Sequence, residues 1–289
     1  MADPGFPDRG LDLVALAAVK SSVEPCGLCG GASHSFRHRF TAPPPGETDF
    51  GLPNYRRELW RCDNCGHVVN RHAMDLERIY SGAYATATYG DRRRQVFDRI
   101  MALPLDRSDN RHRVAEILAY AGEHTGALPR TLFDVGSGLA VFGAAMRAAG
   151  WQCAGIDPDP AAVRHANDVA GMTAICGDFM TASISGRFTL VTLNKVIEHV
   201  PNMVEMLARA AGLAAAGGIV YVEVPDGEAA LSAGPEREEF FVEHHCAFSL
   251  TSLSLLAVRA GCRADLVRRL REPSGKFTLR AFLAPTASR

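Results

Sequence analysis

From Thr131 onward the chain keeps returning to one unit: a short β-rich apolar run, a turn, and a helical segment. TLFDVG leads into a helix through FGAAMRAAG and QCAGID into a helix through PAAVRHANDVAG, while TAICGD, TLVTLNKVIEHV and GGIVYVEVP supply further runs. Strands that are apolar on both faces and alternate with helices have to be covered on both sides, so the pattern dictates an α/β fold with a mostly parallel sheet between helical layers. LVRRL and FTLRAFLA, after a helix SLTSLSLLAVRAG with Ser249 as its N-cap, read as a closing pair of strands.

The 130 residues before this have a different texture. Residues 1–72 hold two C-x-x-C pairs and a Pro/Gly loop, APPPG, with little helical periodicity. Residues 73–130 read as linker helices, DLERIYSGAY, DRRRQVFDRIMALPL and RHRVAEILAYAGEH, the last two stopped by Pro104 and by the Gly/Pro cluster after His124. The division is therefore a small N-terminal module over 1–72, linker helices over 73–130, and the α/β domain over 131–289. An apolar share of 47% and a net charge of −1 belong to an ordinary globular chain with no global field toward nucleic acid or membrane. The N-terminus has acids and prolines where a secretory signal needs a basic start and an apolar run, and no apolar run has the length of a membrane span. The expected location is cytoplasmic.

FDVGSGLAVFG places Gly136 and Gly138 directly after an apolar strand and before a helix, where glycine permits a tight turn and lets a ligand approach free N–H groups. Alone, such a turn is as readily structural as functional. Asp157 changes the balance: it ends the next strand, at a distance suited to accepting hydrogen bonds from ribose hydroxyls, so the pair describes a nucleoside site. Val141 stands where a dinucleotide fingerprint requires glycine, which disfavours a pyrophosphate cofactor. Asn194 ends the fourth strand, the end at which open α/β sheets bind ligands.

Cys26 and Cys29 in PCGLCGG, and Cys62 and Cys65 in RCDNCGHVV, make two knuckles suited to one tetrahedral zinc ion. Four cysteines leave no open coordination position, so the expected Zn2+ is structural. The other cysteines, Cys153, Cys176, Cys246 and Cys262, read as small core residues.

The α/β region, from about residue 131 to 284, resembles the class I S-adenosylmethionine-dependent methyltransferases. The family's acid followed by G-x-G-x-G is met by Asp134, Gly136 and Gly138, with Ala140 at the third glycine. The resemblance implies a Rossmann-like seven-stranded, mostly parallel sheet. It also implies that Asp134 and the glycine turn hold the methionine part of S-adenosylmethionine, Asp157 the ribose, and Asp178 the adenine amino group, flanked by Phe179. Asp178 has a plainer reading as the cap of a turn. Glu198, His199 and Val200 match the E-H-V often found after the fourth strand, which implies that His199 faces cofactor and acceptor.

With a four-cysteine module in front, the chain is similar to the sugar C-methyltransferases, in which a tyrosine, one residue, a glutamate and a histidine follow the fifth strand. Here that run is Phe241, Val242, Glu243 and His244. It implies that His244 is the base that takes a proton from the acceptor and that Glu243 orients it; alternation in an extended segment would turn His245 away. Tyr80 or Tyr84 would reach over the pocket from the linker, and each reads equally as a core aromatic. The chain ends at Arg289, after the last strand, without the subgroup's further C-terminal domain. A small-molecule acceptor is therefore expected, a sugar or a natural-product intermediate methylated on carbon or oxygen. The alternatives are an RNA methyltransferase, or a non-catalytic module that docks RNA or protein through the zinc domain; HSFRHRF and YRRELWR are the only basic stretches there that favour them.

Overall fold

The computed structural model describes residues 24–74 and 92–286. Tyr80 and Tyr84, and the linker helix expected around them, lie outside the described residues.

Two sheets organise the molecule. The larger has the order β10-β11-β8-β7-β4-β5-β6. Its strands are β4 (Thr131–Val135), β5 (Gln152–Asp157), β6 (Thr173–Cys176), β7 (Phe188–Asn194), β8 (Ala214–Pro225), β10 (Cys262–Arg271) and β11 (Phe277–Pro285). β4 to β8 pair in parallel, while β11 lies antiparallel between β8 and β10. This is the mostly parallel sheet the alternating runs require, with the seven strands and Rossmann-like order that the resemblance implies.

The helices are α1 (Arg93–Met101), α2 (Asp109–His124), α3 (Val141–Ala148), α4 (Pro160–Asp168), α5 (Met203–Leu213), α6 (Gly227–Ala233) and α7 (Leu250–Arg259). Successive strand residues point to opposite faces, and the core divides accordingly. Leu132, Leu190, Ile219 and Tyr221 pack with Phe97, Ile117, Phe142, Met146 and Val163 of α1 to α4. Phe133, Val135, Val191, Leu193, Val220 and Val222 pack on the other face with Met206 and Leu207 of α5 and Leu253 and Leu256 of α7. The capping expected at Ser249 is present: its hydroxyl accepts from Ser252 N–H, and Ser252 Oγ accepts from Ser249 N–H in return.

A buried ion network ties α2 to the sheet. Glu223 accepts from Arg113 Nε at 2.7 Å and Nη2 at 2.5 Å, from Arg280 Nε at 3.1 Å and from the Tyr221 hydroxyl at 2.8 Å. Burial opposes its ionisation, but Arg113, Lys195 and Arg280 outweigh it and hold the carboxyl well below the usual range.

The smaller sheet has the order β1-β2-β3-β9, all antiparallel, with β1 (His34–Phe40), β2 (Arg57–Cys62), β3 (Val68–His72) and β9 (Cys246–Ala247). Its fourth strand comes from late in the chain: Val68 pairs with Ala247 and Val69 with Cys246. The N-terminal sheet is thus completed by the residues that directly follow His244 and His245. Cys176 is exposed at the end of edge strand β6, unlike the buried Cys153, Cys246 and Cys262 and contrary to the core reading of its position. No helix among the described residues is long and apolar enough to cross a membrane.

Candidate active site

The cofactor side lies where β4 and β7 meet, the point at which the connections leave the sheet in opposite directions. Gly136 and Gly138 take φ of +68° and +50°, in the left-handed region that glycine enters without strain. At Gly136 a Cβ would come within 2.7 Å of Val196 Cγ2, so the turn also needs glycine for space. Ala140, at the third glycine position, adopts φ +55° as well and is buried. The turn keeps its shape there at the cost of about 1–2 kcal/mol for a left-handed alanine.

Asp134 is buried at the end of β4. Its Oδ1 accepts from Thr192 Oγ1 at 2.5 Å and from Asn194 Nδ2 at 3.0 Å. Burial raises its carboxyl to about 6 despite these donors. Thr192 was not picked out by the sequence, because only the parallel register of β4 with β7 sets it opposite Asp134. Asp157 accepts from Gly138 N–H at 2.8 Å and from Asp159 N–H at 2.9 Å, one bond to each oxygen, and burial pushes its carboxyl up. It braces the glycine turn and retains lone pairs for a further donor.

Asp178 is exposed and caps the following turn, accepting from Met180 N–H at 2.9 Å. Phe179 is buried in the core near Phe133, with the Arg209 guanidinium 5.3 Å from its ring. Arg93 of α1 reaches Asp159, the N-cap of α4, at 2.7 Å and ties that helix to the loop after β5. Buried Ser137 Oγ and Asn194 Oδ1 have no hydrogen-bond partner among the described residues. A positively bent glycine turn, a braced acid one strand away and two orphaned polar atoms fit a nucleoside with an amino-acid tail. They offer no further glycine for a pyrophosphate.

The acceptor side begins three residues beyond Asn194. Lys195 turns the chain with φ +55°, and Ile197–His199 form a single 3-10 turn. His199 Nδ1 lies 2.9 Å from the Glu243 carbonyl, and His244 Nδ1 lies 3.0 Å from the Glu239 carbonyl. A carbonyl only accepts, so both Nδ1 atoms carry the proton and both Nε2 atoms are acceptor nitrogens. The two rings meet edge to face with centroids 4.8 Å apart. Burial pushes His199 down to about 4 and His244 well below the usual imidazole range, so both are neutral at pH 7. Burial pushes Glu243 up to about 7 and Glu198 up to about 8.

The segment Phe241–His245 is a turn, with His244 N–H donating to the Phe241 carbonyl at 2.9 Å, and not the extended run from which alternation was argued. His244 still faces His199. The backbone of His245 is used on both sides, its N–H donating to the Glu198 carbonyl at 2.8 Å and its carbonyl accepting from Asn70 N–H at 2.9 Å.

The N-terminal sheet holds this turn in place. Asn70 Nδ2 donates to the carbonyls of Phe240 and Phe241, each at 3.4 Å, and of His244 at 3.2 Å. Buried Arg57 donates to the Phe240 carbonyl at 2.7 Å, and its partner Glu47 accepts the Val242 N–H at 2.7 Å. None of this was legible in the sequence, since the partners are 170 or more residues apart. Next to the sheet, Cys26 and Cys65 bring their sulfurs to 3.6 Å and Cys29 and Cys62 to 3.5 Å. All four Sγ atoms lie within 4.8 Å of one another. Tetrahedral thiolates about 2.3 Å from a zinc ion are about 3.8 Å apart, so the cluster fits one.

Residues 95–267 match a family model described as a methyltransferase domain. No curated protein matches the chain. Among solved structures, the chain is similar to the magnesium protoporphyrin IX methyltransferase of Synechocystis, crystallised with bound SAH. The identity is 13%, 73% of this chain and all of that one are covered, and the TM-score is 0.56. It is also similar to the 1,6-didemethyltoxoflavin-N1-methyltransferase of Burkholderia thailandensis, with bound 1,6-didemethyltoxoflavin and S-adenosylhomocysteine. There the identity is 18%, with 85% of this chain and all of that one covered and a TM-score of 0.57. At such identities the likeness is one of fold. The family match spans more than half of the residues and covers the glycine turn, Asp157 and the parallel strands β4 to β8, so the chain belongs to this methyltransferase family and is a class I S-adenosylmethionine-dependent enzyme.

Proposed function

We propose that this enzyme methylates a small-molecule acceptor, a sugar or natural-product intermediate, on an oxygen or an enolisable carbon. The observation that carries the proposal is the His199–His244 pair, whose Nε2 atoms are both held as acceptor nitrogens, His199 on the turn that follows β7 and His244 on the later turn that packs against it. Bound S-adenosylmethionine would supply an activated methyl group on a sulfonium sulfur. What the protein has to add is position and a deprotonated acceptor. His244 is the group that takes the acceptor's proton, His199 packs against it, and Glu243 carries the carbonyl that sets the His199 tautomer. Asp134 and the turn of Gly136 and Gly138 hold the methionine end, Asp157 the ribose, Asn194 an edge of the same pocket, and Asp178 with the Phe179 backbone the adenine. The two structures similar in fold are named for small-molecule acceptors, which supports that class for this chain.

The four-cysteine cluster is a structural zinc site in a module of residues 1–72, joined through 73–130 to the methyltransferase domain of 131–289. Resemblance to the sugar C-methyltransferases is supported by Glu243 and His244 and weakened by Phe241, which has no hydroxyl. A second reading, an RNA acceptor, draws on Phe36, which is 47% exposed beside Trp60 and Arg39 on edge strand β1. Methyl-labelled S-adenosylmethionine, incubated with the enzyme and with separated small-molecule, RNA and protein fractions, decides between them. Label in the small-molecule fraction alone is expected; label confined to RNA would overturn the proposal.

A further inference from the structure

The acceptor wall contains an acid that proton abstraction by His244 does not use. Glu198 is fully buried, and neither carboxylate oxygen has a hydrogen-bond partner among the described residues. A buried carboxyl with no hydrogen-bond partner is unfavourable, and a bound cation is one thing that would compensate it. Its neighbours are the imidazoles of His199 and His244. One ligand atom from each of the three residues can be chosen so that all lie within 4.8 Å of one another.

The histidines are set up as ligands are. Each donates its Nδ1–H to a backbone carbonyl, Glu243 for His199 and Glu239 for His244, which fixes the ring and makes Nε2 the unprotonated nitrogen. Proteins orient metal-bound imidazoles through just such an outer hydrogen bond. The carbonyl of Glu198 accepts the His245 N–H, so the turn bearing Glu198 and His199 and the turn bearing His244 are tied together. Glu198 is sealed while both histidines are partly exposed, which leaves the imidazole side of the set as its open side.

We infer that Glu198, His199 and His244 form a site for one divalent transition-metal ion, with its remaining coordination positions open to an oxygen of the acceptor. Two imidazoles and one carboxylate suit Mn2+, Fe2+, Co2+ or Zn2+, while Mg2+ and Ca2+ favour oxygen ligands throughout. The inference rests on the reading of this wall as the acceptor side of a methyltransferase, and it deepens that reading. Such an ion would act as a Lewis acid that makes an acceptor hydroxyl or enol lose its proton to solvent more readily. His244 acts as the base in the ion-free site; with the ion bound it would be a ligand, and the ion would take over the task of making the acceptor nucleophilic.

The test uses the full-length protein with its four cysteines loaded with zinc, titrated with Mn2+ while the free aquo ion is followed by electron paramagnetic resonance. Mn2+ is chosen because thiolate sites disfavour it. One Mn2+ per chain is expected, bound about tenfold or more weakly by Glu198→Gln and by His244→Asn. His199→Asn, at a partly exposed position, carries the same test if Glu198→Gln does not fold. Equal uptake by wild type and variants overturns the site, and so does the absence of Mn2+ and Co2+ binding in wild type that still binds S-adenosylhomocysteine. Wild type whose melting temperature does not respond to S-adenosylhomocysteine overturns the methyltransferase reading itself, whatever the metal result.

Discussion

Asn70 Nδ2 donates to the His244 carbonyl at 3.2 Å, so a side chain of the N-terminal sheet holds the backbone of the proposed acceptor wall. The same amide reaches the carbonyls of Phe240 and Phe241, and β3, which carries Asn70, pairs with the strand that follows His245. Asn70→Ala removes the clamp without touching the cofactor residues. A displacement of about 1 Å in a reacting group lowers turnover roughly a hundredfold, and partial loosening costs less. Turnover is expected to fall about tenfold to a hundredfold. The melting shift produced by S-adenosylhomocysteine should stay at its wild-type size. Equal losses in turnover and cofactor response would show that Asn70 acts on the whole fold.

The contrast between what the sequence revealed and what it hid follows from separation along the chain. β4 to β8 and their helices were legible because their apolar patterns and glycine turns are local. The glycine turn and Asp157 were legible for the same reason, a fixed spacing across one strand-helix-strand unit. Thr192 and Asn70 act through partners 58 and 174 positions away, and only sheet register brings these together. The His244 loop was placed correctly after the fifth strand but assigned an extended shape. A two-residue strand, β9, and a turn leave too short a pattern to read. Cys176 looked like a core residue by type, but it ends the edge strand β6, where Ile175 and Cys176 are both exposed.

The cysteine cluster is expected to hold about one zinc ion per chain, lost when Cys62 and Cys65 are replaced together by serine. The effect will reach beyond the knuckle. Ser249 Oγ, the cap of α7, donates to the Cys65 carbonyl at 2.5 Å, and buried His67 packs edge to face on Phe248 at 5.0 Å. Metal analysis, melting temperature and turnover should therefore fall together in the double variant. A variant that loses its metal but keeps wild-type melting and turnover would refute a structural role for the ion.

Arg113 and Arg94 separate a buried ion pair from an exposed one. Arg113→Met leaves Glu223, fully buried, with Arg280 at 3.1 Å and Lys195 at 3.9 Å as its remaining close cations and should cost roughly 3 kcal/mol, the lower end for breaking a buried pair. At about 2–4 °C per kcal/mol this lowers the melting temperature by roughly 6–12 °C. Arg94 pairs with Asp98 on the surface of α1, with both side chains more than half exposed. Arg94→Met should change stability by less than about 0.5 kcal/mol. Thermal unfolding of the two variants side by side checks both figures.

Asp134 should make cofactor binding depend on pH. Its carboxyl is raised to about 6, first by burial and further by the Asp157 charge, against the lowering effects of Thr192, Asn194 and Arg113. A raised acid favours the folded state in its protonated form, so ionising it as pH climbs through 6 costs the ligand-free protein stability. A ligand with a cationic amino group binds the ionised form and offsets that cost. S-adenosylhomocysteine, whose amino group is protonated across this range, should therefore bind weakly at pH 5, strengthen through pH 6 and level off above pH 7. If only the ionised carboxylate binds, affinity rises about tenfold between pH 5 and pH 7. Asp157 is raised too, so the assignment needs a variant. Asp134→Asn keeps an acceptor for Thr192 and Asn194 but cannot ionise, and isothermal titration should find weaker binding with a flatter pH profile. Asp157→Ala should instead weaken binding about tenfold to a hundredfold at every pH, through lost ribose hydrogen bonds worth roughly 1.5–3 kcal/mol. An Asp134→Asn profile as steep as wild type would remove Asp134 from the methionine end of the pocket.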